Sequence, residues 1–159
     1  MLCGLVTVLL GLPLTGCAAD PVAVDVPEMS QRDAVACRDL VAALPDEVDG
    51  QERRAISGDD GLVAAWGDPA IVLRCGVPRP ADFTDTATCI QANGTGWYVP
   101  DDVLLADDES LDVTMTAVGV RPRVEVFLPG DYRPDGFPDT AGRLGTVVAD
   151  QLEEVRPCG

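Results

Sequence analysis

Six cysteines, 27 carboxylates and 11 arginines are the side chains from which this chain can build chemistry; it has no histidine and no lysine. Without imidazole there is no His-based triad, no imidazole general base and no His-ligated metal. A formal charge of −16 over 159 residues argues against nucleic acid, since phosphate binding needs a basic patch to release counterions. The thiols stand at Cys3, Cys17, Cys37, Cys75, Cys89 and Cys158, and no two form a Cys-x-x-Cys pair. Closed zinc sites usually take ligands in such pairs, so neither a metal nor a cofactor is expected. Acyl attachment and disulfide formation remain as the thiol chemistry.

Cys17 is the candidate for acylation. Residues 1–16 carry no charged side chain, and the run is shorter than the roughly 18–20 residues that span a bilayer. It has the length of a signal-peptide hydrophobic region. It ends in Leu14-Thr15-Gly16-Cys17, which resembles the lipobox of bacterial lipoprotein precursors; the plainer alternative is an ordinary secretory signal with a fortuitous Gly-Cys. The resemblance implies a diacylglyceryl thioether on Cys17 and cleavage just before it, with palmitate-like chains as membrane anchor. Two acyl chains hold a protein stably where one does not. The basic residues that usually precede such a segment are missing, so the expectation is an upstream start codon supplying an Arg or Lys. Residues 17–28, with Pro21 and Pro27, read as an extended tether. A single domain is then expected over 29–159.

With Cys3 removed alongside the signal and Cys17 acylated, four thiols remain in an exported domain. An oxidising compartment predicts two disulfides, with three possible connectivities. Cys75 ends one predicted strand and Cys89 begins the next, whereas Cys37 lies on the first predicted helix and Cys158 just after the last. The expected pairing is Cys75–Cys89 with Cys37–Cys158. A bridge tying the termini would contribute about 4–5 kcal/mol by the chain-entropy argument.

The elements that position these groups follow from periodicity. Ser30 with Asp33 makes a capping-box pattern, and Ala34, Cys37, Leu40, Val41 and Leu44 form one apolar stripe ended by Pro45. Short segments follow at Arg53–Ser57, Leu62–Trp66 and Ala70–Cys75, divided by Gly- and Asp-rich turns. Asn93-Gly94-Thr95-Gly96 between Thr88–Ala92 and Trp97–Val99 is a hairpin signal. Leu111–Val118 and Arg121–Leu128 alternate with period two. A last helix is predicted from Asp139 to Val155, capped by Asp139 or Thr140, with Gly142 and Gly145 either weakening it or permitting close approach to a sheet. The sum is an α+β domain: an antiparallel sheet of about five to seven short strands with the N-terminal and C-terminal helices packed on one face.

Weighed against that frame, the catalytic possibilities are thin. The acidic run Asp101, Asp102, Asp107, Asp108, Glu109 and Asp112 lacks the alternating carboxylates of a calcium loop and reads as a solvated loop. Asp131 to Gly136 comes nearer, but Arg133 stands in a ligand slot. Ser30, Ser57 and Ser110 lie in no nucleophile motif, and there is no Gly-rich phosphate loop. A glycosidase-like carboxylate pair across a cleft has no support from spacing. Trp66 and Trp97 either make an aromatic binding surface or, as the scarcity of aromatics favours, anchor the core. Arg74 either binds an acidic ligand or pairs with one of the many carboxylates, and pairing is favoured.

The stretch Ala65-Trp66-Gly67-Asp68-Pro69-Ala70-Ile71-Val72-Leu73-Arg74-Cys75-Gly76-Val77 resembles the core signature of an actinobacterial family of small exported or lipidated proteins. That family is classified as a domain of unknown function (domain of unknown function 3515). The similarity runs from the first helix to Cys158, and the Gly94 to Trp97 turn and the Arg121 to Pro129 strand agree with it. It implies location and fold, and no catalytic or binding role.

The expected protein is a non-enzymatic lipoprotein on the outer face of the cytoplasmic membrane, contacting another cell-envelope protein and touching the membrane only through its anchor. The alternative is a small-molecule or cation-binding extracytoplasmic module built around Trp66, Arg74 or Trp97. A cell-wall hydrolase ranks third.

Overall fold

A computed structural model describes residues 20–58 and 61–158; the signal segment and Cys17 lie outside the described residues. Ser30 caps helix α1 (Gln31–Ala43), its hydroxyl accepting the Asp33 amide at 3.2 Å. Cys37, Leu40, Val41 and Leu44 are buried as their spacing predicts. Strands β1 (Glu47–Val48) and β2 (Gln51–Arg54) follow, joined by Asp49-Gly50 with φ of 50° and 70°. That Asp-Gly pair is a hairpin turn signal of the same kind as Asn93-Gly94.

Strands β3 (Val63–Trp66), β4 (Ile71–Cys75), β5 (Cys89–Ala92) and β6 (Thr95–Tyr98) come next, then a short helix α2 (Asp101–Leu104) and strand β7 (Val113–Ala117). The predicted strand from Arg121 to Leu128 is two strands: β8 (Val120–Arg121) and β9 (Val124–Leu128). Pro122 interrupts it, having no N–H to donate to a ladder. A 3-10 turn (Gly130–Tyr132) leads into helix α3 (Arg133–Gln151), and strand β10 (Glu153–Glu154) closes the order.

Eight strands form one antiparallel sheet in the order β1-β2-β3-β4-β9-β7-β6-β5, and β10 pairs with β8 as a separate ribbon. Alternation along β4, β7 and β9 sends Ile71, Leu73, Met115, Val124, Val126 and Leu128 into one core with the buried residues of α1 and α3. The mixed helix-and-sheet class stands as predicted, with more strands than expected and a third, short helix.

Helix α3 departs from its prediction at both ends. It begins six residues early, at Arg133, with a Pro in its first turn, where the missing amide would be unpaired in any case. Asp139 and Thr140 therefore lie inside the helix and cap nothing. Its C-terminal end comes at Gln151, because Glu153 and Glu154 pair instead with Arg121 and Val120. The helix meets the β5–β6 hairpin at very short range. Trp97 Nε1, Asn93 Nδ2 and Thr95 Oγ1 donate to the α3 carbonyls of Ala141, Gly142 and Gly145 at 3.1, 3.0 and 2.8 Å. A Cβ on Gly145 would stand 2.5 Å from the Ala92 carbonyl oxygen. The close-approach role thus applies to Gly145.

The disulfides are Cys37–Cys75 and Cys89–Cys158, with Cα separations of 5.5 and 5.8 Å. The expected pairing, Cys75–Cys89 with Cys37–Cys158, is wrong, and the strand order gives the reason. Strands β4 and β5 are neighbours in sequence, but β9, β7 and β6 lie between them in the sheet. Four strand spacings amount to about 19 Å, far beyond the roughly 7 Å that a disulfide tolerates. Cys75 instead faces α1, and Cys89, on the edge strand, meets the C-terminal tail.

Two outcomes follow. Gly145→Ala should lower stability by about 2 kcal/mol through overpacking, despite the gain of up to about 1 kcal/mol that Ala brings to a helix; urea melts of the variant check the sign. Non-reducing peptide mapping should recover Cys37–Cys75 and Cys89–Cys158, and Cys37→Ala/Cys75→Ala should lose about 4 kcal/mol by the chain-entropy argument.

Candidate functional site

The three residues singled out as possible ligand contacts are not brought together. Trp66 is fully buried in β3, its Nε1 donating to the Pro45 carbonyl at 3.0 Å, with the Arg53 guanidinium 5.7 Å from its ring. Trp97 is fully buried beneath α3. Both indoles anchor the core, each finding an acceptor for its N–H as a buried Trp needs. Arg74 lies on the opposite sheet face, in register with Glu125 on β9, and forms an ion pair with it.

The acidic run is organised by its own hydrogen bonds. Ser110 donates to Asp108 Oδ1 through its amide and its hydroxyl, which holds the Asp108 pKa below the usual carboxylate range. Asp112 accepts the Gly130 amide at 2.8 Å. Arg133 donates to the carbonyls of Asp108 and Val103 at 2.8 and 2.7 Å, so it closes this loop over the start of α3. Among the described residues no group of three His, Cys, Asp or Glu stands close enough to hold a metal. Among the described residues, carboxylates share a groove at Asp112 with Asp131 and at Asp25 with Glu125. In each, one partner is already engaged, Asp112 by Gly130 and Glu125 by Arg74.

A second acidic group forms where the β1–β2 turn meets α3. Burial, then the nearby charges of Asp139 and Asp135, push the Asp49 pKa up, with Arg143 opposing them. Gly136 leaves the room that the Asp49 carboxylate occupies.

The site that sequence reasoning missed is basic. Arg79, Arg121, Arg123 and Arg156 converge on a cleft of about 230 Å³ whose apolar wall is Phe83, Val118 and Val155. It is assembled from three distant stretches: the loop between β4 and β5, the β8–β9 connection and the C-terminal tail. The tail is held in place by the β8–β10 pairing, by the amides of Val155 and Arg156 on the Gly119 carbonyl, and by Cys89–Cys158. Gly119 is needed because any Cβ there would strike the Arg156 carbonyl.

Within the cleft, Arg79 lies 4.8 Å over the Phe83 ring, a cation–π distance. Arg79 and Arg156 share one acceptor, Asp85 Oδ1, at 3.1 and 3.3 Å. Arg121 donates to the Val120 carbonyl at 2.8 Å. The Arg123 guanidinium has no hydrogen-bond or ion-pair partner among the described residues, and its Nε is buried. Burial, then the positive charges of Arg121 and Arg79, lower its pKa from the ordinary value. Behind Phe83, Tyr98 packs edge-to-face at 5.0 Å, its pKa pushed up to about 12 by burial and by Asp82.

A sequence signal for this cleft existed. The chain has four Arg-Pro steps, and Arg79, Arg121 and Arg156 supply three of them. A residue before Pro is held extended, but nothing local says that three such points will meet.

A family model described as a protein of unknown function (DUF3515) matches residues 1–156. The chain belongs to this family. Comparison with curated proteins gives no match, and comparison with solved structures gives none. The match spans every element of the DUF3515 fold described above, including all four cleft arginines.

The raised pKa of Asp49 sets a pH dependence. The native state holds that proton more tightly than the unfolded chain, so the stability it lends is complete below the ordinary carboxylate range. It is lost as pH rises through the native pKa. Asp49→Asn keeps a residue that tolerates positive φ. It should match the wild type at low pH and exceed it by about 0.5 kcal/mol at pH 7, the scale of exposed charge interactions. Urea melts across pH measure this.

Proposed function

We propose that this chain is a lipid-anchored accessory domain on the outer face of the cytoplasmic membrane, acting by contact with another cell-envelope component and not by catalysis. The observation that carries the proposal is how the chain enters the domain. Val22 bridges to Ile56 in parallel, its amide donating to Ala55 and its carbonyl accepting from Ser57 at 2.8 and 2.9 Å. Arg54 donates to the Asp20 carbonyl at 2.6 Å, and Val26 and Met29 pack against the core. The stretch read as tether is therefore engaged with the domain from Asp20 onward.

Cys17 precedes Asp20 by three residues, a reach of about 10 Å at full extension. An acyl group on Cys17 would thus keep the domain close to the bilayer surface. Over such a distance, comparable with the Debye length of about 8 Å in physiological salt, the −16 charge is repelled by anionic headgroups. That repulsion turns the domain outward about its anchor. The second reading, an extracytoplasmic binding module, is favoured by the arginine cleft; the indoles of Trp66 and Trp97, both buried, cannot line its pocket.

Metabolic labelling with a palmitate analogue, followed by mass spectrometry of the mature N-terminus, tests the anchor. The expected product starts at an acylated Cys17, and Cys17→Ala carries no label. In-cell cross-linking of the two should capture an envelope partner only with the wild type. An unacylated mature wild-type N-terminus would overturn the proposal.

A further inference from the structure

We infer that the cleft between Arg79, Arg121, Arg123 and Arg156 is a binding site for a phosphoryl group borne by a small envelope molecule. The inference gives a ligand class to the binding-module reading and does not depend on the anchor.

Four of the 11 arginines of a chain with net charge −16 face one cleft, and none of the residues lining it is acidic. Asp85, at the edge, offers one oxygen to Arg79 and Arg156 together, and among the described residues neither Arg121 nor Arg123 has a carboxylate within ion-pair distance. Elsewhere, Arg53 and Arg133 serve backbone carbonyls, and Arg74 and Arg143 serve carboxylates. Arg123 is partly buried, with a buried Nε that meets no acceptor. A buried donor without an acceptor is destabilising, and guanidiniums crowded together repel one another. An oxyanion in the cleft relieves both.

Charge and shape narrow the ligand. Several guanidiniums facing one cleft offer more donors than a single carboxylate can accept, whereas a phosphoryl group presents several oxygens to planar guanidinium forks. The cleft, at about 230 Å³, is wider than inorganic phosphate needs, and Phe83, Val118 and Val155 provide apolar contact for an attached carbon skeleton. That chemistry occurs both in a lipid headgroup and in a soluble phosphate ester. The frame is rigid, since β8–β10 pairing and Cys89–Cys158 fix the tail that carries Arg156.

The test uses the full chain carrying Cys17→Ala, so that no acyl group can carry it to a membrane. Inorganic phosphate, glycerol 3-phosphate and acetate are titrated calorimetrically, and flotation is measured with phosphatidylglycerol and phosphatidylcholine vesicles. Glycerol 3-phosphate should bind more tightly than phosphate, and acetate at least tenfold more weakly. Arg123→Gln should weaken binding tenfold or more. Because Arg123 is partly buried, the exposed pair Arg79→Gln/Arg156→Gln provides a second variant with the same expected loss, and Arg143→Gln on α3 should bind as the parent does.

Tight binding of glycerol 3-phosphate without arginine-dependent flotation identifies a soluble ester. Arginine-dependent flotation with phosphatidylglycerol, and weak binding of the soluble ester, identifies a headgroup. Acetate binding as tightly as phosphate overturns the phosphoryl assignment. So does the absence of both soluble binding and flotation, or binding that all the arginine variants retain. Those results would leave the labelling of Cys17 untouched, so the anchor and the cleft stand or fall separately.

Discussion

Burial of one sheet face beneath α3 is the constraint on which the rest of this structure depends. The helix must come close, because Trp97 fills the interface and still needs an acceptor for its indole N–H. Gly145 permits that approach, and the hairpin answers it with three side-chain donors on α3 carbonyls. Buried polar groups at this interface are thereby paired, which a packed core requires. Thr140 is an exception, its buried hydroxyl lacking a partner. Once α3 is seated, its end at Gln151 delivers the tail to β8, and the cleft is assembled as a consequence.

A chain whose only cations are arginines sets several of them to hold backbone carbonyls, pairs others with carboxylates and gathers four at one cleft. Arg53 closes the C-terminal end of α1 by donating to Val41 and Leu44, where helix carbonyls lack intrahelical partners. Arg54 and Arg133 likewise hold loops and the N-terminal strap through backbone carbonyls. The planar fork suits this task, since it offers several donors in fixed geometry. At the cleft four guanidiniums meet with one carboxylate between them, which is an arrangement for holding an anion rather than for holding the fold.

The N-terminal strap and the arginine cleft are built by different parts of the molecule. The strap joins the edge near β2, and the cleft lies beside the β8–β10 ribbon. A domain secured through Cys17 would have its attachment set by the first and its ligand contact by the second. The two disulfides follow the same division: Cys37–Cys75 ties α1 to β4, and Cys89–Cys158 ties the edge strand to the tail.

The sequence by itself determined the local elements. The Ser30 cap, the stripe of α1, the Asn93-Gly94 turn and the period-two alternation of β9 depend on neighbours a few residues away, and all are found where they were expected; on β7 the alternation fails at Thr116, which is buried. The core roles of Trp66 and Trp97 and the pairing of Arg74 were legible for a similar reason, since apolar bulk and abundant carboxylates bias each outcome. Tertiary structure alone decided the strand order, and with it which cysteines meet. Inserting β9 and β7 between β4 and β6 separates Cys75 from Cys89, and no local pattern encodes an insertion made fifty residues later. The cleft was hidden for that reason too. Its arginines are extended Arg-Pro points and one partly buried neighbour, and their charges matter together only after β10 turns away from α3 to pair with β8. Periodicity reports which face of an element is apolar; which distant elements share an edge depends on the packing of the whole chain.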